Sequence, residues 1–396
     1  MITKLAYRSL TGLSPRILWK VLYLYVYKGW RAVRAYKKRR DKGILYPPFM
    51  FVALTNTCNL RCKGCWVEKE GEAHYMKREE LNAIVENGKK MGSHYVTLLG
   101  GEPMMYKEIW SIFEEHKDCY FQVITNGMFF NEINAEKVKE VGNVTPLISV
   151  DGWGPNNDER RGQGVFNSLE RGMGRLKKNK VLFGVATTIT AKNLDEVLSD
   201  EYLQFFIDQG AMYIWYYVYR PVGEDYHPEY CLTKELLVEV RKRLLKQRRK
   251  HPIVIIDTYW TAEGEAFCPA AMGLGYHIGP KGSIEICPPL SFASDFVKDN
   301  DYDMVKTIQE SKYLSGFESF VNERTKGCVI LEQPQELVEY INENGCEDVS
   351  GRDALAEIYR IEPRHSHHLE GEEIPEDYWI YKMAKKKVFF GMGAGG

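Results

Sequence analysis

The stretch Phe49-Met-Phe-Val-Ala-Leu-Thr-Asn-Thr-Cys58-Asn-Leu-Arg-Cys62-Lys-Gly-Cys65 decides how the rest of the chain reads. It opens as an apolar strand pattern and ends in three thiols within eight residues, on a short loop. Thiols at i, i+4 and i+7 on such a loop converge on one metal centre. A [4Fe–4S] cluster ordinarily takes four cysteines, so three leave one iron open to a small molecule. A zinc ion with a fourth ligand such as His74 is the competing reading.

On the C-terminal side, strand-like and helix-like patterns alternate. The strand patterns are Phe49–Leu54, His94–Leu99, Tyr120–Thr125, Val144–Val150, Val181–Ile189 and Met212–Val218. Helical patterns lie between them, among them Arg78–Met91, Val165–Lys178 and Leu194–Gln209, and a basic helix over Lys234–Lys250 follows. Six βα units in sequence predict an α/β fold, a partial (β/α)6 TIM-like barrel with right-handed crossovers. Tyr213, Trp215, Tyr217 and Tyr219 alternate with Ile214, Tyr216 and Val218, so one set points into the barrel and the other out.

On the N-terminal side, residues 1–46 form a separate arm that ends at Pro47-Pro48. Ser14-Pro15 reads as an N-cap followed by proline at the first helical position, and the helix runs to about Arg40. Residues 1–43 hold twelve Lys/Arg and one acid, a net +11, which leaves −12 for the rest of a chain whose total is −1. That near-neutral total speaks against a nucleic-acid binder. The apolar run Ile17–Tyr27 is too short to span a bilayer, which takes roughly 20 apolar residues. Aromatic surface beside dense positive charge is the composition of a helix lying in an anionic membrane interface. A helix packed on the body with solvated charges is the alternative.

Nine cysteines without a secretion pattern read as a reducing cytosol and metal binding. Cys119 and Cys231 read as isolated buried thiols. Residues 255–350 form a cysteine-bearing module, and 351–396 an extension with a His-containing surface loop, His365 to His368, and a Gly-rich end from Phe389 to Gly396.

Further residues carry a resemblance. Gly100-Gly101-Glu102-Pro103 follows the second strand, Thr125-Asn126-Gly127 ends the third, and Ser149-Val150-Asp151-Gly152 ends the fourth, with Arg160-Arg161-Gly162 just after. Asn193 follows the fifth strand and Arg220-Pro221-Val222-Gly223 the sixth. Together with the cysteine motif, residues 49–220 resemble the core of the radical S-adenosylmethionine (radical SAM) superfamily. The resemblance implies that Cys58, Cys62 and Cys65 hold a [4Fe–4S] cluster whose open iron chelates S-adenosylmethionine. Gly100, Gly101 and Glu102 would receive the ammonium group. Ser149 and Arg161 would bind the carboxylate, with Arg160 competing for that role. Asp151 and Asn126 would reach the ribose or the substrate, and Trp66 would take the aromatic place near the adenine. Asn193 counts with this cofactor-binding set. One-electron cleavage would then give a 5′-deoxyadenosyl radical that abstracts hydrogen from an unactivated C–H.

Cys268, then Gly282, then Cys287 resembles the start of a SPASM or shorter twitch extension, the maturase branch of that superfamily. With Cys328 and Cys346 as the later ligands, the module has room for one auxiliary [4Fe–4S] cluster; buried structural thiols are the alternative. Three functions compete: an enzyme acting on a lipid or isoprenoid drawn from a membrane, a peptide-modifying maturase, and a metal-binding protein without catalysis. The first places the chain in the cytoplasm, peripheral to the inner face of the cell membrane. Flavodoxin or ferredoxin would be the electron donor.

Overall fold

The computed structural model describes residues 1–67 and 72–387; the Gly-rich end lies outside the described residues. Six parallel strands follow the predicted order: β1 (Phe49–Ala53), β2 (Tyr95–Leu99), β3 (Tyr120–Thr125), β4 (Val144–Ser149), β5 (Gly184–Ile189) and β6 (Tyr213–Val218). The sheet is longer than six. The order β7-β6-β5-β4-β3-β2-β1-β8-β9 adds β7 (Val254–Ile256) beside β6. It adds β8 (Gly275–Ile278) parallel to β1, with β9 (Ile284–Glu285) antiparallel to β8. The cysteine-bearing stretch expected as a separate module thus contributes two strands to the barrel sheet. A small antiparallel pair, β10 (Phe292–Ala293) with β11 (Glu347–Asp348), lies beyond it.

Helices cover the sheet for the expected reason. Helix Val165–Lys178 buries Val165, Phe166, Leu169, Met173 and Leu176, one face at helical spacing. The predicted helix Leu194–Gln209 is two helices, Leu194–Val197 and Asp200–Gln209. Ser199 restarts the second by accepting the Tyr202 N–H.

The arm also departs from one long helix. A first helix, Ile2–Gly12, precedes the predicted Ser14 cap, which accepts the Ile17 N–H. After Pro15–Lys20 the chain widens to a π-helix over Val21–Tyr27 before returning to an α-helix at Lys28–Arg40. The wider turn leaves the neighbours Leu24 and Tyr25 both buried. Tyr25 packs on Tyr95 and Tyr120, the first residues of β2 and β3. Lys20 Nζ donates to the Val141 carbonyl ahead of β4, the Ser14 N–H to the Lys180 carbonyl ahead of β5, and Arg8 to the Ala211 carbonyl ahead of β6. The arm is therefore a plug across the N-terminal rim of the barrel. Among the described residues no helix is long and apolar enough to cross a membrane.

The extension after residue 350 is tied down by buried charge. Arg241 and Arg248, on helix Lys234–Lys250, meet Asp257 and Glu376, and Lys385 Nζ lies 2.9 Å from Asp257. All five are buried, so removing one partner leaves an uncompensated charge. Asp257→Ala is expected to destabilise the protein by about 3–5 kcal/mol in chemical denaturation. A change under about 1 kcal/mol would show that the network does not hold the extension to the barrel.

Candidate functional site

A cavity of about 420 Å³ opens at the C-terminal rim of the strands. Cys58, Cys62 and Cys65 line it, with Trp66, Gly100, Gly101, Asn126, Ser149, Arg160 and Arg161. The same cavity is lined by Cys268, Cys287 and Cys328, from a stretch more than two hundred residues further on. Two groups of three thiols thus share one chamber. Burial pushes Cys58 and Cys268 each up to about 11, so both are protonated at neutral pH until a metal displaces the proton. His74 lines a separate cavity of about 50 Å³ and does not join the first trio, which leaves the zinc alternative without its fourth ligand. Cys346 also stands apart. It lies beside Ser294 and Asp295 and does not line the large cavity, which brings together the other three of the four thiols expected at an auxiliary cluster.

The glycines have a backbone reason. Gly101 N–H donates to Thr55 O (2.7 Å) and Glu102 N–H to Thr57 O (2.9 Å), which clamps the turn after β2 to the chain entering the cysteine loop. A Cβ on Gly100 would strike the Thr55 carbonyl, and one on Gly101 the Thr57 carbonyl. Gly100 also has φ +131°.

Glu102 does not line the cavity. It is fully buried and accepts from the Thr125 hydroxyl (2.7 Å), the Asn126 N–H (2.7 Å) and the Met104 N–H (3.0 Å), holding the turn after β3. Asn126, so held, donates to Asn59 on the cysteine loop (2.7 Å). Asp151 is likewise inside rather than facing the cavity. It pairs with Arg160 and with Arg161 (2.6 Å) and accepts the Thr188 N–H (2.9 Å). Burial alone would raise this carboxyl; the two arginines outweigh it and bring Asp151 down to about 2. Asn193 donates to the Asp151 and Thr188 carbonyls, beneath the cavity rather than in it. Arg160 ties this cluster to the cysteine loop, because its carbonyl accepts the Lys63 N–H (2.8 Å).

On β6 the alternation places Trp215, Tyr217 and Tyr219 in the cavity, while Tyr216 faces out and donates to the Val197 carbonyl. The Trp215 indole N–H and the Tyr217 and Tyr219 hydroxyls are buried with no partner, three polar groups on an otherwise aromatic wall.

Two groups make contacts that the sequence pattern did not assign. Arg220, after β6, donates to Cys328 Sγ (3.1 Å) and lies over the Tyr259 ring. Behind it is His367, which is buried and lines the cavity; of the expected surface loop His365 is exposed, while Ser366 and His367 are interior. Burial, then the charge of Arg220, push His367 down to about 3, and its ring is neutral. His277 and Glu285 pair at 2.7 Å across β8–β9, with His277 edge-on to Trp66. The turn Gly279-Pro280-Lys281-Gly282 between two apolar runs was the signal that could have placed them opposite each other.

Burial pushes the Glu102 carboxyl up to about 7 against the pull of its donors, so folding favours its protonated form. That contribution is full below its ordinary value of 4.5 and is lost as pH rises through 7. Metal-free wild-type protein is expected to lose roughly 3 kcal/mol relative to Glu102→Gln across that window in paired denaturation curves. A pH-independent difference would refute the shift.

Residues 52–199 match the family model described as the radical SAM superfamily, whose members use a [4Fe–4S] cluster and S-adenosylmethionine. An uncharacterized protein of Methanocaldococcus jannaschii is 26% identical over 267 residues, covering 65% of this chain and 90% of that protein. The Fe-coproporphyrin III synthase of Methanosarcina barkeri is 29% identical over 158 residues, 38% of this chain and 39% of the synthase, so the chain spans well under half of that relative. Among solved structures, Streptococcus suis SuiB bound to its precursor peptide SuiA superposes with a TM-score of 0.60 at 17% identity, covering 74% of this chain and 71% of SuiB. That is a likeness of fold. The cysteine loop, the turns at the strand ends and the matched segment agree: residues 52–199 form a radical SAM superfamily domain.

Proposed function

We propose that the protein is a radical SAM enzyme that abstracts hydrogen from an unactivated C–H of a largely apolar, lipid- or isoprenoid-like substrate. The observation that carries this reading is the single cavity lined by both thiol trios, the two glycines, Ser149 and Arg161. Cys58, Cys62 and Cys65 would hold a [4Fe–4S] cluster, and Cys268, Cys287 and Cys328 one auxiliary cluster of the twitch kind. With S-adenosylmethionine bound, the first cluster supplies one-electron cleavage of the sulfonium and a primary carbon radical.

The chain's own residues do the rest. Arg161, with its charge held in place by Asp151, and Ser149 would bind the cofactor's carboxylate. The Gly100 and Gly101 backbone would receive its ammonium group, and Trp66 would flank the adenine. Glu102, Asp151 and Asn193 act as positioning residues, each through a neighbour. Arg220 donates to Cys328 and would steady that ligand at the auxiliary site. Phe49, Phe51, Ile124, Trp215, Tyr217 and Tyr259 give the chamber an aromatic, water-poor lining. The three unpartnered donors, Trp215, Tyr217 and Tyr219, suit a largely apolar molecule that carries acceptor oxygen. A peptide substrate is the second reading, supported by the likeness in fold to SuiB in complex with SuiA. The proposed partners are S-adenosylmethionine, the substrate and a flavodoxin- or ferredoxin-type electron donor. The proposed place of action is the cytoplasm, peripheral to the inner membrane face.

Anaerobic reconstitution tests the assignment. Replacing Cys58, Cys62 and Cys65 by alanine should remove about half of the iron and all 5′-deoxyadenosine formation. The same change at Cys268, Cys287 and Cys328 should remove the other half and leave reductive cleavage in place, and Cys346→Ala should leave the iron content unchanged. Zinc in place of iron, or no 5′-deoxyadenosine from reduced, cluster-replete protein, would overturn the reading. Deuterium passing into 5′-deoxyadenosine from a labelled isoprenoid, and not from peptides, would support the apolar substrate.

A further inference from the structure

The face of the arm turned away from the barrel is apolar and aromatic from Trp19 to Trp30 and basic beyond it. Trp19, Leu22, Tyr23, Val26, Tyr27 and Trp30 are all exposed, Trp19 at 66% and Leu22 at 50%. Their spacing of three and four residues sets them in one row that crosses the α–π–α junctions without a break. The rings form a ladder: Trp19 on Tyr23 at 6.0 Å, Tyr23 on Tyr27 at 5.9 Å, and Tyr27 beside Trp30 at 6.5 Å. Cations sit over the rungs, Lys28 over Tyr23 (5.7 Å), Arg31 over Tyr27 (5.9 Å) and Arg34 over Trp30 (4.8 Å). The first helix adds exposed Tyr7 and Leu10. A row of this size facing water marks an interaction surface.

We infer that this face binds an anionic lipid bilayer and holds the barrel with its N-terminal rim toward the membrane. Tyr and Trp rings interleaved with Arg and Lys match the headgroup layer, where an apolar body and a polar tip are both satisfied. Exposed Lys4, Arg16, Lys38 and Lys42 extend the positive field beyond the ladder. Charge separates the candidate occupants. A second copy would bring another arm of net +11 against the first, whereas an anionic leaflet lowers the energy of each added cation. The geometry fixes the orientation as well. The arm crosses the N-terminal ends of β2 to β6 and the cavity opens at their C-terminal ends, a strand length of about 20 Å away. The mouth of the cavity therefore faces away from the lipid, and membrane binding does not by itself make the substrate a lipid.

Full-length holoprotein is to be floated with vesicles of phosphatidylcholine containing phosphatidylglycerol, and with phosphatidylcholine alone. Binding is expected only with the anionic vesicles, falling as salt is raised. The pair Arg31→Glu and Arg34→Glu should weaken it about thirty-fold. The set Trp19→Ser, Tyr23→Ser and Tyr27→Ser should weaken it at least about ten-fold. Both sets change exposed side chains, so iron content and melting midpoint should be unchanged. A measurement on protein with no charge or apolar change guards against misfolded variants: brominated acyl chains should quench the emission that is lost in Trp19→Phe. Flotation that is absent, or equal on neutral vesicles, overturns the inference. So does a ladder-dependent dimer in sedimentation, or capture of an acidic protein, without vesicle binding. The cleavage of S-adenosylmethionine is read separately and survives either result.

Discussion

Parallel alignment of β1 to β6 is the constraint on which everything else rests. A parallel strand can return only by a crossover, so every strand of the set leaves the sheet at the same rim. Six successive loops are thereby gathered at one end: the thiol loop after β1, Gly100 and Gly101 after β2, Asn126 after β3, Ser149 at the end of β4, Thr188 on β5 and Arg220 after β6. One antiparallel pairing in that run would have sent its loop to the opposite end. The same geometry gives the arm its place, since the other rim, left without loops that carry chemistry, must still be covered.

The cavity keeps its shape through acidic side chains that are buried next to their partners. Asp151 stands between Arg160 and Arg161, and the Arg160 carbonyl then fixes Lys63 in the cysteine loop. Glu102 takes three donors and so locks the turn that carries Asn126. Unpaired, the Asp151 carboxylate would cost several kcal/mol to bury, and burial holds Glu102 toward its protonated form. Each is instead a fixed point from which a side chain or a backbone turn is aimed at the chamber. The arrangement separates aiming from contact: the groups that face the cavity are held by groups that do not.

The two thiol trios differ in how they come together. The first is contiguous, so its loop alone brings Cys58, Cys62 and Cys65 to one place. The second draws Cys268, Cys287 and Cys328 from separated segments, and it does so because β8 adds to the edge of the sheet at β1 and returns through β9. Arg220 links the two ends of the molecule at this point, joining the loop after β6 to Cys328 and to His367 of the extension.

What the sequence by itself determined was whatever depends on neighbours along the chain. The six parallel strands, the Ser14 cap, the cysteine loop, the turns at the strand ends and the inward face of β6 were all legible, because each follows from spacing or local conformation. Only the tertiary structure decided which side chains share a space. It turned Glu102 and Asp151 inward, set Cys346 apart from the other three thiols, buried His367 and brought Arg220 onto Cys328. It also set the arm under the barrel rather than at its mouth. Periodicity tells which face of an element is apolar; it carries no record of which distant element will cover that face, and the free energy of burial is settled only when they meet.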